Sequence, residues 1–441
     1  MANRSPGVYP STGLADLLRL AGRLVRDYVR SPSSFDGSDS IRKWIKATAA
    51  RLGSDDFIIN LLVTRLMLVT GPDLSRHILE QVPGDATFVA GPNKVNAMSF
   101  LAPQALTICQ GEQWSRLRQY NEAVLDTGRN SQRQQAILDQ VLRTFASPIS
   151  GVSDIRQRMS AVMLGVVFGE GESPAHLAED IQVLFGYVTS PIRRILLGWR
   201  ERSRRARFYG ALAELWSNRQ DSDHPSLLTT AHQIAPEGNH RQEELLNQIP
   251  HWMFTFTGSG TDLLSRTLAM VSSRPDVRDK LTDEIAGAGS IEQADNIDQL
   301  RYLEACLLET CRLFPPVTRT SHAAPNGGTF GGTNLLAGVE IIHYFPVNYR
   351  DTGADPSANN FQPERWLDPA QNAPMAYPNL FLSGPRACPG KDLILFICKA
   401  ALAVMLTRHR LTIESPALAT DPLPFSFPAD HVHISSGRRS Q

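Results

Sequence analysis

Apolar residues recur at three- and four-residue spacing from about Gln110 to Met270, the period of helices that bury one face. That run is broken near Gly169–Ser173, Ser190–Pro191 and Asp221–Pro225. Ahead of it, Phe57–Val69 reads as strand-rich, followed by a Gly71–Pro72 turn and a helical pattern over Asp73–Gln81. The character changes after Pro315 and Pro316. Thr329–Val347, rich in Gly, Thr, Val and Ile, predicts short strands, and a Pro/Asn/Asp-rich meander runs from Asp351 to Pro378. Lys391–Thr407 is apolar and helix-forming, and strands resume from Leu411. The pattern predicts a mainly α fold with a small β portion. It contains no repeat, no low-complexity tract and no boundary-like linker, so a single domain over 1–441 is expected.

Composition changes this picture little. The 441 residues are 42% hydrophobic, ample for a large core, although length alone suggests two or three domains. Lys plus Arg and Asp plus Glu both number 44, so no global charge draws the chain to nucleic acid. Five cysteines, without a disulfide-framework spacing, suggest a reducing compartment. No apolar run approaches the ~20 residues that span a bilayer. The longest, Phe57–Val69 and Leu393–Leu406, are interrupted by Arg65 and Lys399. No signal-peptide pattern opens the chain. The expectation is a soluble, cytoplasmic protein without a transmembrane anchor.

Two basic segments stand apart. Leu14, Leu17, Leu18, Leu24, Val25 and Tyr28 form one helical face, with Arg19, Arg23, Arg26 and Arg30 elsewhere. Such a helix either packs its apolar stripe on the domain or lies on a membrane. Arg193, Arg194, Arg200, Arg202, Arg204, Arg205 and Arg207 cluster around Trp199. That cluster reads as a solvated helix face or as a contact for a partner or an anionic surface.

The most distinctive chemistry lies in Phe381–Gly390, which contains Gly384, Arg386, Cys388 and Pro389. Gly384 permits a tight positive-φ turn. Pro389 suits a helix start, and Cys388 then sits at a helix N-terminus, where the dipole and N–H groups favour a thiolate. Without other signals, a buried loop cysteine would explain the segment equally well. The pattern F-x-x-G-x-R-x-C-x-G resembles the haem-ligand signature of the cytochrome P450 family, here of a soluble, bacterial-like type. Phe381, Gly384, Arg386, Cys388 and Gly390 fill all five specified positions. One neighbour departs: Ile394 stands where a small residue is common. The resemblance extends from about Asn60 to the C-terminus, leaving 1–55 as an N-terminal segment without motifs of its own.

The resemblance implies haem b (protoporphyrin IX iron), with Cys388 as the axial ligand whose electron density favours O–O cleavage. Arg386 is then matched to a haem carboxylate. Trp114 and Arg118 match W-x-x-x-R, which puts an indole N–H and a guanidinium on one helix face toward the same carboxylates. His322 stands ten residues beyond Arg312, where the family often has another carboxylate-binding Arg, and imidazole can donate there too. It reads equally well as a satisfied strand histidine. Glu309 and Arg312, three apart on a helix, share a face. With Arg365 of the Pro363–Trp366 segment, the resemblance makes them an ion-pair triad that locks the meander and holds the Cys388 loop, a structural role.

A helix over Glu243–Ser273 should bear the oxygen-side residues. Gly258 and Thr261 fit the family pattern A/G-G-x-D/E-T-T/S, but Gly260 replaces the acid and Asp262 the following hydroxyl residue. Thr261 either bonds dioxygen or an associated water, or bonds back to its own helix. Asp262, one residue along, is rotated by about 100°, yet it is the candidate acid remaining beside Thr261. The two glycines permit a local bulge or serve packing. The expected activity is O2-dependent oxidation of a bulky apolar small molecule, such as a terpenoid, polyketide or cyclic peptide of specialised (secondary) metabolism. Electrons are expected from separate proteins, a ferredoxin and its reductase. Met98, Phe100, Phe254, Val317 and Phe425 are the pocket candidates, within 88–103, 254–261, 317–320 and 424–429. The alternative suggested by Gly260 is a peroxide-using or redox-neutral enzyme. A haem sensor or carrier without turnover, or a haem-free helical scaffold, are the rivals from other classes.

Overall fold

The computed structural model describes residues 7–30, 38–61, 64–82, 87–126, 131–169, 176–218, 225–235, 241–368, 380–415, 418–426 and 433–438. The predicted strand-rich segment is an antiparallel pair, Asp56–Asn60 with Arg65–Val69. It joins a five-stranded sheet. Arg65–Val69 runs parallel to Glu340–Tyr344, which pairs antiparallel with Arg319–Ala323, and that strand pairs with the short Val89–Ala90. Gly7–Val8, Thr333–Leu335 and Gly328–Phe330 form a second small sheet, and His409–Ser415 pairs with His433–Arg438 in a third. The rest is largely helical, around one extended apolar core.

The helix Lys391–Arg408 shows why its sequence reads as apolar throughout: nearly every side chain from Leu393 to Leu406 is buried, as in a helix surrounded by others. Lys399 is no exception to burial. It reaches Glu304 at 3.0 Å and the Asp298 carbonyl at 2.9 Å, so the buried charge is paired.

The helix predicted over Glu243–Ser273 is not continuous. It divides into Gln242–Leu246, Ile249–Thr255, a π turn at Phe256–Gly260 and Thr261–Ser272. Pro250 cannot donate to the preceding turn, which places the first break. Two glycines in five residues lower the cost of the π turn, a feature common where a helix serves a site. Gln248, fully buried, bridges the first break. Its amide nitrogen donates to the Gln104 and Glu244 carbonyls, and its oxygen accepts from the Leu106 N–H.

The basic segments resolve into two parts each. In the helix Leu14–Arg30, Leu17 and Leu20 pack on the domain, whereas Leu14, Leu18 and Val25 are exposed. In the arginine cluster, Arg204 and Arg207 clasp the buried Asp180, and Arg205 donates to the Phe100 carbonyl at 3.0 Å. Arg194 caps the carbonyls of Tyr187 and Val188. Ile192, Ile195, Leu196 and Trp199 lie exposed beside them. Among the described residues, no helix is long and apolar enough to cross a membrane.

Candidate active site

The Cys388 loop is built from backbone turns. Gly384 sits at φ 58°, and a Cβ there would lie 3.1 Å from Glu80 Cα and 3.2 Å from the Leu79 carbonyl oxygen. Only glycine combines that conformation with that approach. The Ala387 N–H then bonds the Gly384 carbonyl at 3.1 Å, and the Cys388 N–H bonds the Phe381 carbonyl at 2.7 Å. Two arginines fasten the loop from outside. Arg386 donates to the Phe88 carbonyl at 2.6 Å, and Arg118 donates to the Ala387 carbonyl at 2.5 Å while pairing with Glu122. Trp114 lies one helical turn before Arg118, half-buried.

The Cys388 thiol is half-buried, yet burial still pushes its pKa up; the Gly390 N–H and Arg118 pull the other way. Thus the helix N-terminus alone does not favour the thiolate as its position in sequence suggests. Loss of the proton would come with metal ligation, which deprotonates a coordinating thiol.

Facing this loop is the π turn. Gly260 packs on Ile394: a Cβ at Gly260 would stand 2.6 Å from Ile394 Cδ1. The two departures from the family pattern are therefore one contact, a larger residue on one helix matched by a missing side chain on the other. Gly260→Asp, which restores an acid, is expected to cost roughly 1–3 kcal/mol through overpacking. With Ile394→Ala in the background the cost should largely disappear. Urea titration of the double-mutant cycle checks this, and simply additive costs would mean the positions do not press on each other.

Thr261 is fully buried, and its hydroxyl has no hydrogen-bond partner, whereas Thr257 and Thr267 bond back to carbonyls four residues earlier. Gly258 is exposed in the middle of this helical stretch, with nothing within 4 Å of a Cβ position. Asp262 does not join Thr261. It turns to Arg266 at 3.7 Å, and Arg266 in turn holds the Phe314 carbonyl at 2.9 Å. The rotation of one helical position puts the carboxylate on another face.

His322 is buried on its strand, stacked edge-on against His343 at 4.9 Å, and its Nδ1 has no partner. Burial, with His343 and Arg386 nearby, holds it well below the ordinary histidine range. It is neutral at pH 7.

The pocket candidates separate. Met98 is buried; Phe100 stacks on Tyr187 at 5.6 Å, and Phe254 meets Phe185 edge-on at 4.8 Å. All three belong to the extended apolar core. Val317 is exposed. The Phe425 ring lies 4.5 Å from the Arg42 guanidinium and 5.1 Å from that of Arg350, a cation–π clamp. Residues 427–429 of the predicted pocket, and 369–378 of the meander, lie outside the described residues.

The triad residues meet in full. Arg312 forks onto Glu309 at 2.8 and 2.7 Å, and Arg365 reaches the same carboxylate at 3.0 Å. Sequence reasoning missed two members. Trp366 donates its indole N–H to Glu309 at 2.9 Å, and Asp355 accepts from Arg365 at 3.1 Å. Arg312 also donates to the carbonyls of Tyr349, Ala358 and Asn360, so one side chain ties the end of the Pro346–Tyr349 helix to the first part of the meander.

Comparison with known proteins agrees with this arrangement. Residues 213–429 match the family model described as Cytochrome P450, a span containing Thr261, Glu309, Arg365 and Cys388. Over that span the chain is similar to the cytochrome P450 family. It is similar to cytochrome P450 monooxygenase 91 of Postia placenta, 29% identical over 235 residues, covering 46% of this chain and 42% of that protein. Cytochrome P450 monooxygenase 212 of the same fungus is 31% identical over 216 residues, 43% of this chain and 39% of that protein. Cytochrome P450 94C1 of Arabidopsis thaliana is 29% identical over 200 residues, 42% and 39% of the two chains. The chain thus spans about two fifths of the length of these curated relatives, at most 42%.

The cofactor of the P450 family is haem b, and the residues present fit it. Thr261 Oγ1 and His322 Nδ1 are buried polar atoms that lack partners, and each such atom needs one.

Proposed function

We propose that this protein is a haem-thiolate monooxygenase that oxidises a bulky apolar small molecule with O2. The observation that carries the proposal is the Cys388 thiol, held in a hydrogen-bonded loop at the head of a buried helix that also packs on the π turn beside Thr261. Cys388 would ligate the iron, and Arg386, Arg118, Trp114 and His322 would meet the haem carboxylates. When bound, such a haem supplies O2-dependent oxidation of unreactive carbon centres.

The chain's own contribution is orientation, exclusion of water and proton handling. The apolar side chains of Met98, Phe100 and Phe254 support an apolar substrate, with a specialised metabolite as the class. The Thr261 hydroxyl, uncommitted to its helix, is available to hold a water or donate a proton. Electrons would come from separate redox proteins, a ferredoxin and its reductase.

Thr261→Ala is expected to lower product formed per electron consumed. Since the hydroxyl has no partner to lose, folding stability should stay within ~1 kcal/mol. Product assays with reductant consumption and urea unfolding separate the two; unchanged coupling would remove Thr261 from the proton path.

Gly260 and the Asp262–Arg266 pair favour a second reading, in which peroxide replaces O2 and external electrons, or the reaction is redox-neutral. The test begins with the spectrum of the reduced, carbon-monoxide-bound protein. Turnover with reductant and O2 is then set against turnover with peroxide alone.

A further inference from the structure

The chain brings the basic side chains of Lys94, Arg386 and His322 near one another between the His322 strand and the Cys388 loop. Ala90 pairs with His322 across the sheet, Gly91 N–H bonds the Ser321 carbonyl, and Arg386 holds the Phe88 carbonyl. Residues 88–91 are thereby pinned between the His322 strand and the Cys388 loop. The helix that follows, Pro92–Leu101, carries Lys94 in its first turn. Lys94 is half-buried and makes no hydrogen bond or ion pair among the described residues. The nearby carboxylate, Glu340, is consumed by Asn93 and Ser321. Ser321 and His322 point to opposite faces of their strand, so Glu340 lies on the side away from His322.

We infer that Lys94 is a carboxylate-binding residue, acting with Arg386 and His322 on an acid group of a molecule bound beside them. The inference rests on the haem reading above. Two unpartnered features point to a ligand: the Lys94 ammonium, and the His322 Nδ1, buried at 2% exposure. Burial and the neighbouring Arg386 lower the Lys94 pKa to about 8, and burial beside Lys94 lowers His251 to about 4. His322, His343 and His251 are therefore all neutral at pH 7, and the charge that balances an acid falls to Lys94 and Arg386. A half-buried cation without a counter-ion is costly, and a carboxylate would relieve it.

The acid belongs either to haem b or to an organic acid substrate, and one set of proteins distinguishes them. Wild type, Lys94→Met and Lys94→Arg are compared for the rate of haem transfer to apomyoglobin. Binding of dodecanoic acid and of methyl dodecanoate is then compared by the shift of the haem absorbance band. Haem loss roughly tenfold faster in Lys94→Met, the scale of one lost charge-assisted hydrogen bond, and recovered in Lys94→Arg, assigns the residue to the haem carboxylate. Unchanged haem loss with an acid-over-ester preference that vanishes in Lys94→Met assigns it to the substrate. Haem-loaded protein in which neither changes overturns the inference alone. Wild type that takes up no haem overturns the haem reading and this inference with it.

Discussion

Cys388→Ser is expected to abolish the red-shifted Soret band of the reduced, carbon-monoxide-bound protein and to reduce product formation to background. The change is confined to one atom. The loop's bonds run through the backbone of Phe381, Gly384, Ala387 and Cys388 and through Arg118, none of which uses the sulfur. Serine therefore keeps the scaffold and removes the ligand. A hydroxyl stays protonated where a thiol, even one pushed up by burial, can release its proton to a metal. Far-ultraviolet circular dichroism should match wild type while the spectrum changes. An unaltered Soret band in a folded Cys388→Ser protein would disprove the ligand assignment.

The same loop shows what a sequence makes legible. Gly384, Arg386 and Cys388 fall within five residues, and each needs its residue type for a local reason, so their pattern survives without knowledge of the fold. Glu309 and Arg312 are legible for the same reason, being three apart on one helix. Arg365 joins them only through the resemblance, and Trp366 and Asp355 escaped because their hydrogen bonds to the triad span the meander. The Gly260–Ile394 contact was hidden for a related reason. Both residues are visible as departures, but they are on different helices, and only the packed structure brings them together. Pocket assignments were least legible. An aromatic residue such as Phe425 carries no mark of its partner, and the two arginines against its ring are distant in sequence. Lys94 gave no motif at all.

The interrupted helix teaches a complementary lesson. The apolar period through Glu243–Ser273 describes which faces are buried, and it holds across the breaks, because Leu245, Ile249, Met253, Phe256, Leu264 and Leu268 remain in the core. Period does not report hydrogen-bond continuity. Pro250 and the glycines at 258 and 260 do, and they mark where the backbone departs from an α-helix.

Glu309→Ala should prevent the accumulation of soluble, haem-loaded protein. Glu309, Arg312 and Arg365 are at most 4% exposed, and the one carboxylate accepts from Arg312, Arg365, Trp366 and the Gln362 N–H. Alanine leaves two buried guanidiniums without it, and breaking a buried pair from one side costs about 3–5 kcal/mol. That is a large part of the ~5–15 kcal/mol that holds a domain together. The loss is also directional. Arg312 is oriented by Glu309 to hold the Tyr349, Ala358 and Asn360 carbonyls, so the meander loosens before the distant helices do. Trp366→Phe is the graded control: it removes one hydrogen bond to the same carboxylate and should cost only about 1 kcal/mol. Soluble yield, haem content per chain and urea midpoints of both variants rank the two effects. A Glu309→Ala protein with normal haem content and an unshifted midpoint would show that the cluster is dispensable, and that the Cys388 loop is held by the Arg118 and Arg386 bonds alone.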